Sequence, residues 1–310
     1  MILTVTPNTA LDRVLFLGEL ARNRRNQAGE VVEAMGGKGC NAALVLRELG
    51  EEAVATGLAG GEAGRRMEGL LRRGRVTPDF VWTGGETRVN TVLIETRNGG
   101  HTTVCAGGLT PGPDAPSALC TWIERWSSAA DAVVIAGSLP EGWPPEHYGA
   151  LVRAATRAGR PVVVDAAGAA LTAALGAGPL TAIKPNQEEL EGLAGPAPTL
   201  AGRLAAVREL LHRGTQRVLA SFGPEGALLA SERGAWWADG LPVPVVNPAG
   251  AGDGMTACLA LAAARGWDEP ETLRWAIAVS AAIVTTRGTA EIRPEDAVAH
   301  MDSVRVHWVA

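Results

Sequence analysis

The sequence predicts a doubly wound α/β fold: a mostly parallel sheet with helices on both faces, carrying a small β-sheet lid. Three observations lead there. Short β-branched runs alternate with longer alanine- and leucine-rich segments of helical period. The short runs are apolar throughout, not alternately polar. Two stretches break this rhythm with strand-like runs that have little helical period between them. A strand apolar on both sides needs cover on both, which crossover helices supply to a parallel sheet. At 310 residues, 46% of them hydrophobic, the chain can enclose one large core, so a single domain over 1–310 is expected.

In order, Ile2 to Thr6 opens the sheet, and Asn41 to Leu49 is the first helix. Ala53 to Leu58, Ala132 to Ala136, Val162 to Asp165, Thr181 to Lys184 and Val218 to Ser221 read as buried strands. Pro145 to Ala158 and Leu200 to Leu211 read as helices between them. Gly50, Gly159 and Gly214 each follow a helical stretch, as residues that end helices do. The interruptions are Arg13 to Ala34 and Phe80 to Cys105. They hold Val14 to Leu17, Thr91 to Thr96 and Thr102 to Cys105, the last two joined through Gly99-Gly100 as in a hairpin. These segments, 13–34 and 80–105, are assigned to the lid.

Lys plus Arg number 28 against 33 Asp plus Glu, a net charge of -5, and the basic clusters are short; this argues against nucleic acid as a partner. Cys40, Cys105, Cys120 and Cys258 form no CxxC pair, so reduced thiols are expected. No apolar run approaches the roughly 18 residues that span a membrane, and the N-terminal segment lacks a basic signal-peptide region. A cytoplasmic location is expected.

The strongest chemical signal is Asn247-Pro248-Ala249-Gly250-Ala251-Gly252-Asp253-Gly254, running straight into an apolar helix. Glycine amides at a helix start converge on an anion. Asp253, in the same first turn, is placed to accept a proton from an attacking hydroxyl; the plain alternative is a capping residue. Gly36-Gly37-Lys38-Gly39-Cys40-Asn41 is the second signal. Gly37, Gly39 and Ala42 satisfy the dinucleotide pattern G-x-G-x-x-A, but Lys38 interrupts it and no acid ends the following strand. A lysine among glycines better suits a phosphate already on the substrate, whereas Asn41 as a helix cap is the structural alternative. No Walker loop occurs.

Lys184-Pro185-Asn186-Gln187-Glu188-Glu189 leaves a strand, where ligands of parallel sheets bind; Asn186 and Glu189 are spaced to face a magnesium ion, or else to cap a helix. Ser221-Phe222-Gly223-Pro224-Glu225-Gly226 suits a flat base or a phosphate, with a hairpin as the alternative. Asp12 after the first strand suits a sugar hydroxyl, Arg88 within the lid a phosphate, and Gly137-Ser138-Leu139-Pro140 a turn at the same crevice. Trp236-Trp237 is expected to pack an edge.

Taken together, Gly36-Gly37-Lys38-Gly39-x-Asn41, Thr87-Arg88-x-Asn90, Gly137-Ser138-Leu139-Pro140, Lys184-Pro185-Asn186-x-x-Glu189, Ser221-x-Gly223-x-x-Gly226 and Gly250-Ala251-Gly252-Asp253 stand in the order seen in ribokinase-like (PfkB) carbohydrate kinases. The opening Thr4 to Asp12 resembles the branch holding 1-phosphofructokinase, tagatose-6-phosphate kinase and the minor 6-phosphofructokinase. The resemblance implies transfer of the γ-phosphoryl of ATP, with Mg2+, to a sugar-phosphate hydroxyl. It makes Asp253 the base and the backbone of Gly250, Ala251 and Gly252 the anion hole. Ser221, Gly223 and Gly226 would line the nucleotide, Lys184 and Asn186 would approach its phosphates, and Asn186 and Glu189 the metal. Asp12, Gly37, Lys38, Asn41, Arg88 and Ser138 would hold the acceptor. A homodimer through the lid is also implied.

Gln27 and Gly254 depart from the family pattern, the latter where serine or threonine is usual and where the helix start is expected to loosen. Fructose 1-phosphate is the leading acceptor, because Lys38 and Arg88 favour a substrate already phosphorylated; tagatose 6-phosphate and fructose 6-phosphate follow. An NAD-dependent oxidoreductase and a non-catalytic sugar-phosphate sensor are the readings from other classes.

Overall fold

The computed structural model describes residues 1–310. A large sheet runs in the order Thr77–Pro78, Ala53–Ala59, Ile2–Thr6, Ala132–Ala136, Val162–Asp165, Ala182–Ile183 and Arg217–Ser221, all parallel. It continues antiparallel through Gly226–Ser231, Gly234–Asp239 and Val306–Trp308. The Trp236-Trp237 pair therefore lies in the strand next to the edge. Two apolar cores of 42 and 35 buried residues flank the sheet, one on each face. That near-equal cover explains why the central strands are apolar without alternation. Helices Lys38–Glu48, Ala251–Arg265 and Glu269–Val284 pack on one face; Ala115–Ser127, Glu146–Thr156 and Leu200–His212 pack on the other. No helix is long and apolar enough to cross a membrane.

From the Ile2–Thr6 strand the sheet grows in both directions, so the order reverses beside it and opens a crevice at the strands' C-terminal ends. Asp165 and Lys184 stand at two of those ends.

A second sheet has the order Glu30–Gly36, Ala10–Leu17, Arg88–Glu95, His101–Val104. Its first segment begins at Ala10, three residues before the expected boundary. The expected stretch 80–105 divides: Val81–Trp82 pairs with Ala53–Ala59 at the rim of the large sheet, and only residues from Arg88 onward enter the second sheet. Val14, Phe16, Ala34, Val92 and Ile94 are buried on one face of it. The opposite face presents Leu15 and Leu93, half-buried, with Val31 and Val104 about half exposed at 58% and 51%.

Gly254 does not loosen its helix. A Cβ there would stand 2.5 Å from Ile283 Cδ1 and 3.0 Å from Val279 Cγ1, so the missing side chain lets two helices approach closely.

Candidate active site

A cavity of about 600 Å³ opens in the crevice beside the first strand. It draws Asp12, Gly37, Lys38, Asn41, Arg88, Ser138, Glu189, Gly250 and Asp253 to one wall or another, residues spread over most of the chain. Asn8, Asn90 and Thr289 line it as well.

Asp253 occupies the third position of the helix Ala251–Arg265, whose N-cap is Gly250 at φ 89. Its carboxylate makes no capping bond. Instead Oδ2 accepts a hydrogen bond from Asn41 Nδ2 at 2.7 Å, which leaves Oδ1 for the cavity. Asn41 lies inside its own helix and so caps nothing. Of the first amides of the Asp253 helix, that of Ala251 donates to the Pro248 carbonyl at 3.5 Å, whereas those of Gly252 and Asp253 have no backbone acceptor and are free for an anion at the turn. Gly250 must be glycine: its backbone is left-handed, and a Cβ would meet Ala290 N at 2.3 Å.

Burial is the main reason the Asp253 carboxyl is raised to about 7, and the nearby Asp165 carboxylate adds to it. Lys38, the Asn41 hydrogen bond and Lys184 oppose the rise without prevailing.

Asp165, fully buried, was not among the residues singled out from the sequence. Lys38 Nζ lies 2.6 Å from its Oδ1, Lys184 Nζ 3.4 Å from its Oδ2, and Thr256 donates to Oδ2 at 2.9 Å. Burial alone would raise its pKa, but Lys184 and Lys38 outweigh that and hold it below the usual carboxylate range. For Lys38 likewise, burial is overcome by Asp165 and Glu189, and the ammonium is held charged. Lys38 therefore faces the cavity as half of an ion pair, with Glu189 Oε1 also 3.5 Å away. Arg88 is the cavity cation without a carboxylate partner, and its Nε is buried without any hydrogen bond. Lys184 is buried beneath the glycine turn, where a Cβ on Gly252 would be 3.3 Å from its Nζ.

Asp12 is buried in the second sheet, not a solvated loop residue, and accepts from Asn90 Nδ2 at 2.8 Å. Burial raises its pKa, against the Asn90 bond. Ser138 Oγ accepts from Asn8 Nδ2 at 3.3 Å.

The residues expected at the nucleotide sit elsewhere. Ser221, Gly223 and Gly226 lie outside this cavity, in an antiparallel hairpin whose turn is the short helix Gly223–Glu225. Asn186 is exposed and bridges to Ser221. Asn186 and Glu189 form a reciprocal capping box: the Asn186 side chain accepts from the Glu189 amide at 2.8 Å, and Glu189 Oε2 accepts from the Asn186 amide at 2.9 Å. Only Glu189 of the pair lines the cavity.

The dinucleotide pattern fails on context. The strand leading into Gly37 is antiparallel and belongs to the second sheet, and Gly39 is small because Val5 and Thr6 press on it: a Cβ there would lie 2.5 Å from Thr6 Oγ1.

Comparison with known proteins shows the family and the fold. Residues 7–296 match the family described as pfkB family carbohydrate kinase. The chain is 36% identical over 265 residues to a 1-phosphofructokinase of Xanthomonas campestris pv. campestris, covering 84% of this chain and 83% of that protein. The crystal structure of phosphofructokinase-2 from Escherichia coli in complex with substrates and products superposes with a TM-score of 0.91 at 29% identity, over 97% of this chain and 98% of that one. Arabidopsis thaliana ribokinase, complexed with ribose and ATP, shares the fold at a TM-score of 0.75 and 21% identity, over 97% and 98% of the two chains.

Proposed function

The chain belongs to the pfkB family of carbohydrate kinases, and from that premise we propose that it transfers the γ-phosphoryl of ATP to fructose 1-phosphate, giving fructose 1,6-bisphosphate. The enzyme is a phosphotransferase with a hydroxyl acceptor. One observation carries the finer reading: a base tuned to about 7 shares a single cavity with an unpaired arginine and a buried aspartate on the opposite sheet.

Asp253 Oδ1 takes the proton of the acceptor hydroxyl as its oxygen bonds to the γ-phosphorus, and the bond to the ADP oxygen breaks. A base near the working pH suits that transfer. The Gly250 to Gly252 amides hold the moving phosphoryl, and little else is asked of the protein than position and charge. Arg88 binds the phosphate already on the sugar, with its fork suited to two oxygens. Asp12, held by Asn90, grips sugar hydroxyls, and Gly37, Asn41 and Ser138 complete that wall. Lys38 and Lys184, tied to Asp165, put fixed positive charge beneath the phosphates.

Magnesium suits the donor set. No cluster of three or more His, Cys, Asp or Glu side chains forms a cage, and Glu189 offers one cavity-facing carboxylate. A Mg2+ ion that takes most of its ligands from phosphates and water needs no more. When bound, it neutralises charge on the transferring phosphates. The hairpin glycines Gly223 and Gly226 with Ser221 would border the base of ATP, beyond the cavity. The second sheet serves as the lid, and its half-exposed face of Leu15, Val31, Leu93 and Val104 would join a second copy of the chain. A cytoplasmic setting accords with this chemistry.

Measuring ADP release with fructose 1-phosphate, fructose 6-phosphate and tagatose 6-phosphate tests the assignment. The highest kcat/KM is expected with fructose 1-phosphate; a higher value with either other sugar phosphate would replace it. Arg88→Ala is expected to raise the acceptor KM by about 10-fold or more with little change in the KM for ATP. Equal effects on both would remove Arg88 from the phosphate.

A further inference from the structure

We propose a second anion site, for a small ligand bearing at least two phosphoryl groups, at the end of the parallel sheet opposite the reaction cavity. A cavity of about 1010 Å³ opens there. Arg160 and Pro161, just before the strand Val162–Asp165, border it, as does Arg217 at the start of its own strand. Asp165 lies at the far end of the first of these strands, and Ala166 and Ala167, which follow it, line the reaction cavity. The two chambers thus stand roughly 13 Å or more apart along the strands, and the new one is no extension of the first.

Its charge is the opposite of the chain's. Arg160, Arg208, Arg217 and Arg233 surround it against two carboxylates, Glu232 and Glu269, in a protein of net charge -5. The four arginines come from a helix-to-strand connection, the helix Leu200–His212, a strand start and a hairpin turn, so no local repeat explains their meeting. Glu269 is buried and serves two of them, with Arg217 Nε at 3.3 Å and Arg233 Nη1 at 3.6 Å. Arg160 donates only to the Ser128 carbonyl, at 3.2 Å. Arg208 has no carboxylate within ion-pair distance.

An excess of two guanidinium groups around a concave space repels itself, and a ligand with two or more phosphoryl groups removes the excess. Planar forks that each take two oxygens match phosphate better than a single carboxylate. An excess of two positive charges falls short of what a long polyanion carries and is matched by a small ligand. The volume accommodates one of metabolite size.

The test uses inorganic tripolyphosphate, titrated by calorimetry into the full chain with the reaction cavity filled by a non-hydrolysable ATP analogue. One saturable site per chain is expected. Affinity should fall about tenfold or more in the Arg208→Ala, Arg233→Ala double variant. Hydrogen exchange should slow at residues 208–217 and 231–233 of the wild type only. Arg208→Glu, at an exposed helical position, replaces the double variant if that one does not fold, with the same expectation. Absence of saturable binding in the wild type, or equal binding by the variants, overturns the proposal. If the analogue left the reaction cavity open, a further site would appear and persist in every variant, which separates that outcome from failure here.

Discussion

Asp253→Asn is expected to stabilise the fold above neutral pH while abolishing most turnover, and the two effects have one origin. The carboxyl stands near 7 in the folded protein against an ordinary 3.8. Between those values the unfolded chain sheds this proton and the folded chain keeps it, so native stability declines as pH rises through that window. Above pH 7 the cost levels off at about 4 kcal/mol; at pH 5 it is about 2 kcal/mol, and below 3.8 it vanishes. A carboxamide removes the cost and keeps an oxygen for Asn41. Urea denaturation at pH 5 and pH 8 is the assay, with the variant's advantage expected to grow by about 2–3 kcal/mol between them. In parallel, kcat should drop about 10²–10⁴-fold. A variant no more stable than the wild type at pH 8, or an advantage unchanged with pH, would refute the argument that burial and Asp165 strain this carboxylate.

The kcat/KM of the wild type should fall in acid with a single-proton limb centred near pH 7, read from a pH–rate profile. Asp165→Asn should move that limb to lower pH, because it removes the neighbouring negative charge. The same variant should lose about 3–5 kcal/mol in denaturant melts, since Lys184 and Lys38 are left without their buried partner. Asp165, with its depressed pKa, lends that stability above its ordinary 3.8 and gives it up only in stronger acid, so the loss should shrink toward pH 3. Gly250→Ala should cost on the order of 2–3 kcal/mol and lower kcat more than either KM, as a Cβ at positive φ would drive into the Ala290 backbone.

Much of this was readable beforehand because it is written in local chemistry. The apolar runs from Ile2 to Ser221 and the glycine turn before Asp253 each declare themselves within ten residues. What escaped was relational. Asp165 ends Val162-Val163-Val164 as Lys184 ends its own strand, and the same reasoning applied to both would have found it. Its partnership with Lys38, 127 positions earlier, has no local trace. Asn186 and Glu189 satisfied two patterns at once, a metal pair and a capping box, and spacing alone does not separate them. The two-residue strands near Val81 gave no periodic signal, so the boundary of the second sheet was drawn too early.

The division of the cavity wall between two sheets has a mechanical consequence. Asp12 and Asn90 pair across the second sheet near the roots of its strands, close to Thr9, which is tied to the Leu58 carbonyl at 2.6 Å. If that sheet pivots about Ala10, a swing of about 10° carries Leu17 about 4 Å but Asp12 only about 1 Å. The doorway can widen at its tip while the Asp12–Asn90 pair at its hinge is nearly unmoved.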